Sequence, residues 1–136
     1  MRDCVFCQIG AGLLPAARVY EDASVVAFFD HGAVAEYHTL VIPKRHAQDI
    51  FEVSDEDARA LASAVRTVAR LYRDRLGITA PQIVSSNGRA AQQDAMHLHV
   101  HLVPRVEGDG QNIVWRHDPS IRDRWDELLA RLEARP

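Results

Sequence analysis

The 136 residues hold no apolar run longer than a strand, only two cysteines, and a single lysine, Lys44. No stretch approaches the roughly 20 apolar residues of a membrane-spanning helix, and the first residues carry no apolar signal core. The expectation is a cytoplasmic chain with neither signal peptide nor transmembrane helix. A net charge of −3, with basic residues that are nearly all arginine, gives no surface for coating a polyanion, so no nucleic-acid or membrane partner is expected. Repeats and low-complexity tracts are absent as well, which leaves the chain ends as the domain boundaries. The length and the 47% apolar content suit one domain with a real core. The two cysteines, Cys4 and Cys7, form a Cys-x-x-Cys pair. In a chain of cytosolic character such a pair is more often a metal or redox motif than a structural disulfide. By itself it supplies two of the four ligands of a structural zinc site, and no β-α-β pattern surrounds it to suggest a thioredoxin-like role.

What the chain does have is concentrated in Met96-His-Leu-His-Val-His-Leu-Val-Pro-Arg105. Histidine and apolar residues alternate with the period of a half-buried strand. His97, His99 and His101 are expected on one face, about 6.6 Å apart. Met96, Leu98, Val100 and Leu102 are expected in a core, with Pro104 ending the pairing. Such a row fits a solvated face, a His-x-His metal chelate, or nucleophilic catalysis in which one imidazole attacks while its neighbours orient it.

Around this stretch, residues 11–15 read as a turn with a short helical piece, and 18–20, 24–29, 39–42 and 82–86 read as strands. Ser54 begins a helix with apolar residues at Leu61, Val65, Val68, Tyr72 and Leu76, and Gly77 ends it. A second helix is expected over about 121–134, with Ile121, Trp125, Leu128 and Leu132 on one face. Five strands and two main helices without β-α-β alternation imply an α+β fold with an antiparallel sheet.

Several segments together resemble the histidine triad (HIT) family, in its bacterial Hint-like branch. They are Cys-Val-Phe-Cys-Gln-Ile, Val-Tyr-Glu-Asp, Ala-Phe-Phe-Asp, His38-Thr-Leu-Val-Ile-Pro-Lys-Arg-His46, Asn-Gly-Arg-Ala-Ala-Gln-Gln and the histidine stretch, in the family's order and spacing. The resemblance implies a five-stranded antiparallel sheet with one long central helix and a C-terminal helix. It also implies a HIT domain over 1–110, with 111–136 as an extension packed on that domain or on a dimer partner.

The implied activity is hydrolysis at the α-phosphorus of a purine nucleotide derivative by a homodimer, through a nucleotidyl-histidine. A phosphoramidate or an aminoacyl adduct is the expected substrate. The alternatives are a dinucleoside polyphosphate hydrolase, a non-catalytic nucleotide-binding regulator, and a redox or metal-handling protein. By position His99 would be the nucleophile and His101 would orient and polarise the site. His38, or a backbone carbonyl, would fix the tautomer of His99, and Gln93 would donate to the phosphate. The branch resembling galactose-1-phosphate uridylyltransferase has glutamine at position 101, so histidine there points to a hydrolase.

Asp30 would bind the ribose hydroxyls, and Phe6, Ile9 and Phe28 would wall the base, with His31 where the family has an aliphatic residue. Near the phosphate, Ser86 replaces a common asparagine beside Asn87, Gln92 replaces a usual glycine, and Asp94 replaces serine or threonine. Zinc is implied at Cys4, Cys7, His46 and His97, with no organic cofactor. The competing reading leaves the two thiols reduced and His97 hydrogen-bonded.

Overall fold

The computed structural model describes residues 3–134. Its centre is a five-stranded antiparallel sheet in the order β1-β2-β3-β5-β4. The strands are β1 (Arg18–Glu21), β2 (Val25–Phe29), β3 (Thr39–Pro43), β4 (Pro81–Val84) and β5 (Val100–Pro104). The helices are α1 (Val5–Gly10), α2 (Asp55–Leu76) and α3 (Trp125–Glu133). The α+β class and the antiparallel sheet agree with the sequence reading.

Alternation along the strands divides the core in two. Val25, Ala27, Val41 and Leu102 pack with Leu98 against Leu61, Ala64, Val65, Val68 and Tyr72 of α2. Val26, Phe28, Leu40 and Ile42 face the other way, where Ile9 of α1 and its neighbours Phe6 and Leu14 cover them. The histidine row lies on this second face, because His101 pairs with Leu40. One side of the sheet thus packs on α2, and the other carries the histidine row.

Helix α2 starts and stops where its sequence says it should. The Ser54 side chain accepts the Asp57 N–H, and three acidic residues occupy the first turn, where the helix dipole favours them. Gly77 closes the helix at φ +69°, its N–H donating to the Arg73 carbonyl while the Ile78 N–H donates to the Tyr72 carbonyl.

Four expectations change. The short helix lies at Val5–Gly10 rather than within residues 11–15, which form a turn. Its cap is the Cys4 sulfur, which accepts the Cys7 N–H at 3.4 Å, so no serine, threonine or aspartate marks it. The histidine strand begins at Val100, not Met96. Continuing the β3–β5 register from Val41↔Val100 would set Leu98 opposite Pro43, which has no N–H to give. Leu98 instead donates its N–H to the Ala47 carbonyl at 2.8 Å. Met96 consequently lies outside the core, 45% exposed. The C-terminal helix opens as a 3-10 turn over Pro119–Arg124, and its apolar residues Ile121, Trp125, Leu129 and Leu132 are exposed.

Candidate functional site

Because His97 and His99 precede the strand, their rings are positioned by local backbone and by carbonyls. His99 Nδ1 lies 2.8 Å from the His97 carbonyl, and a carbonyl only accepts, so Nδ1 carries the proton and Nε2 keeps its lone pair. The ring is 4% exposed and meets Phe6 edge-on at 5.4 Å. Its Nε2 edge faces out toward Asp94, whose Oδ1 lies 3.5 Å away and whose side chain is 84% exposed. A buried imidazole with a fixed proton and one outward lone pair has the geometry of a nucleophile. Ser85, at the end of β4, donates its hydroxyl to the His99 carbonyl at 3.1 Å and steadies this backbone.

The second histidine pair is settled the same way. His38 Nδ1 accepts the Val34 N–H at 3.1 Å, so its Nε2 holds the proton. That proton faces His101 Nδ1 at 2.9 Å and Asp30 Oδ2 at 3.2 Å. His101 Nδ1 therefore accepts, and its Nε2–H is left as a donor. His38 acts on His101 rather than on His99, whose tautomer is held by the backbone carbonyl. Burial pushes the His38 and His101 pKa values down; His99 and His38 push His101 further, and Asp30 opposes the shift at both rings.

Asp30 closes the end of β2. Its Oδ1 accepts the Gly32 N–H at 2.8 Å, and its Oδ2 also lies 3.6 Å from His101 Nδ1. Together with His31, Phe6, Ile9 and Phe28 it lines a cavity of about 660 Å³, largely apolar and with one acidic edge. The structure thus gathers the expected base-wall and ribose residues around one hollow.

Gln93, expected to donate to the phosphate, and Asn87, expected near it, both bond within the protein. Gln93 is buried, and its Oε1 accepts the Gly88 N–H at 2.8 Å. Its Nε2 donates to the Gln48 and Ala95 carbonyls at 2.7 and 3.0 Å. Both amide protons are committed, so Gln93 shapes the loop beside His99 instead of offering an N–H to phosphate. Asn87 accepts the Ile50 N–H at 2.7 Å and donates to Ser85 Oγ, bracing two loops. Ser85 itself escaped the sequence reading, since a serine after a strand carries no signal until its carbonyl partner is known. Gln92 has φ +71°, the backbone that glycine adopts without strain.

The N-terminal half of the histidine row belongs to a separate cluster. His97 Nε2 donates to the Pro43 carbonyl at 2.8 Å, which turns the Nδ1 lone pair toward Cys4 Sγ at 3.3 Å and Cys7 Sγ at 3.5 Å. His46 Nδ1 lies 3.3 Å from Cys7 Sγ. A tetrahedral zinc with arms of 2.0–2.3 Å separates nitrogen and sulfur ligands by about 3.5 Å. These four side chains fit that arrangement, and their ligand atoms all fall within 4.8 Å of one another. Burial raises the Cys7 thiol, and the neighbouring Cys4 raises it further. A divalent cation would reverse that cost. The carbonyl behind His97 is the outer partner such a ligand requires.

Among the described residues no helix is long and apolar enough to cross a membrane. The family model for the HIT domain matches residues 12–108. The protein hit of Bacillus subtilis is 43% identical over 115 residues, covering 84% of this chain and 79% of that one. The adenosine 5′-monophosphoramidase hnt1 of Schizosaccharomyces pombe is 32% identical over 117 residues, covering 85% of each. A crystal structure of a zinc-bound histidine triad family protein from Mycobacterium smegmatis superposes with a TM-score of 0.75 at 34% identity, covering 97% of this chain and 96% of that one. With the domain match, these relatives and the triad in place, this chain belongs to the HIT family.

Proposed function

We propose that the protein is a hydrolase of purine nucleotide derivatives, of the phosphoramidase type, acting through a nucleotide covalently held on His99. The observation that carries this reading is the tautomer of His99. Its Nδ1 proton is tied to the His97 carbonyl, and its Nε2 lone pair faces the open edge of the site. The neighbouring 660 Å³ cavity has apolar walls for a base and Asp30 at its rim for sugar hydroxyls. The likeness to an adenosine 5′-monophosphoramidase supports the same substrate class.

In the first step His99 Nε2 attacks the α-phosphorus, and the P–N bond breaks with its electron pair passing to the amine, which takes a proton from water. His101 Nε2–H donates to the phosphoryl group, while His38 and Asp30 hold the His101 ring. Water then attacks the nucleotidyl-histidine, returning the pair to Nε2 and releasing a nucleoside monophosphate and a proton. Gln93 and Asn87 keep the flanking loops in shape. Zinc held by Cys4, Cys7, His46 and His97 would tie the N-terminus to the histidine segment and take no part in the chemistry.

A cytoplasmic homodimer completes the reading. It is supported by the exposed apolar residues Ile113, Val114, Trp115, Trp125 and Leu132 of the extension, which call for a covering surface. Intact mass spectrometry after brief incubation with adenosine 5′-phosphoramidate tests the mechanism. An adenylyl adduct is expected on wild type and not on His99→Ala. Binding without adduct or released product would favour the regulator. Preference for dinucleoside polyphosphates would favour the alternative hydrolase, and sedimentation velocity would report the dimer.

A further inference from the structure

Asp94 is unlike the other acids near the site. Its Oδ1 stands 3.5 Å from His99 Nε2, and the same oxygen accepts the Ala95 N–H at 2.8 Å. The Ala95 carbonyl is held in turn by Gln93, so the loop keeps this carboxylate at the attacking nitrogen. Asp30 faces His38 and His101, and Asp109 is taken up by Arg105. Among the described residues, Asp94 has no arginine or lysine within ion-pair distance. An uncompensated carboxylate is an odd neighbour for a site that must receive a phosphate.

We propose that Asp94 selects substrates by the charge of the leaving group. It pairs with an ammonium on the departing amine or acyl group and disfavours leaving groups that carry carboxylates or further phosphates. The inference rests on the hydrolase reading above. A reacting phosphorus approaches to about 3–3.5 Å from its nucleophile. The carboxylate, 3.5 Å from the same nitrogen, is then no more than about 7 Å from phosphorus. Substituents close to the scissile bond fall in the same range. At about 6 Å in partly wet surroundings, one unit charge changes an equilibrium about tenfold. The α-phosphoryl charge is common to every substrate and so does not discriminate, whereas the charge beyond it does. This preference should weaken with added salt, because the carboxylate is exposed.

Three adenosine phosphoramidates of equal chain length, ending in ammonium, methyl or carboxylate, test the proposal. Their kcat/KM values are measured on wild type and on Asp94→Asn, which keeps the side chain's shape. Wild type should rank ammonium above methyl above carboxylate, with steps of about tenfold. The variant should compress that spread to within about twofold. Equal spreads in the two proteins, with turnover intact, overturn the assignment to Asp94 and leave the hydrolase reading standing. Absence of turnover on all three overturns the hydrolase reading. Calorimetric binding of the same compounds then reads the charge order directly, and an order untouched by Asp94→Asn overturns the inference on its own.

Discussion

At the scale of single residues, the site is built from ring nitrogens whose protons are assigned by fixed partners. Because burial depresses the His38 and His101 pKa values below the ordinary 6.5, the folded chain binds fewer protons than the unfolded one just below that value. Their contribution is fully present above about pH 6.5 and is lost as pH falls toward the depressed folded values. Urea titrations at pH 7.5, 6.5 and 5.5 should show stability declining with acid. His38→Asn should flatten that decline relative to wild type, and an unchanged slope would contradict the assignment. Gln92 offers a second check. A non-glycine residue at φ +71° is strained, so Gln92→Gly should raise stability by about 0.5–1 kcal/mol, read from the shift in urea midpoint.

At the scale of elements, local signals and distant partners contribute differently. The ends of α2 were legible because Ser54 and Gly77 act on their own neighbours, and capping chemistry is written within one turn. Gly77→Ala should accordingly destabilise the fold by about 1 kcal/mol in thermal or urea melts, since alanine does not tolerate φ +69°. The first half of the histidine segment was not legible as it stands. Its alternation is that of a strand, yet Pro43 on the neighbouring strand ends the ladder at Val41↔Val100. The interruption frees His97 to turn its Nε2 onto the Pro43 carbonyl and its Nδ1 onto the two thiols. Helix α1 was likewise displaced from its expected place, because its cap is a cysteine sulfur that serves two purposes.

At the scale of the whole molecule, the two sheet faces divide the work. The α2 face carries the larger buried cluster, and the opposite face carries the rings, the cavity and the thiols. Zinc would cross-link residues 4 and 97 through that second face, closing a long loop of the unfolded chain. We expect the purified protein to contain about one zinc per chain by elemental analysis. Chelation or Cys7→Ser should lower Tm by about 10 °C or more, with the metal content falling in parallel. A metal-free protein whose Tm ignores chelator would show that the thiols are simply reduced.

The amino-acid sequence by itself determined the elements that depend on near neighbours: the caps of α2, the strand periods, and the set of residue types that resembles a histidine triad. Of the residues it nominated, Phe6, Ile9, Phe28, Asp30 and His31 line one hollow in the folded chain. Tertiary structure alone decided what each group does there. The proton on His99 is fixed by a carbonyl two residues away, but only because Pro43 and Ala47 interrupt the strand. The proton facing His101 comes from His38, 63 positions earlier in the chain. Gln93 became a loop brace, and Asp94 came to stand 3.5 Å from His99 Nε2, through contacts that span the loops. The physical reason is the same in each case. Residue type sets which hydrogen bonds a side chain can make, whereas its partner, and therefore its tautomer and role, is chosen by segments that meet only in the folded chain.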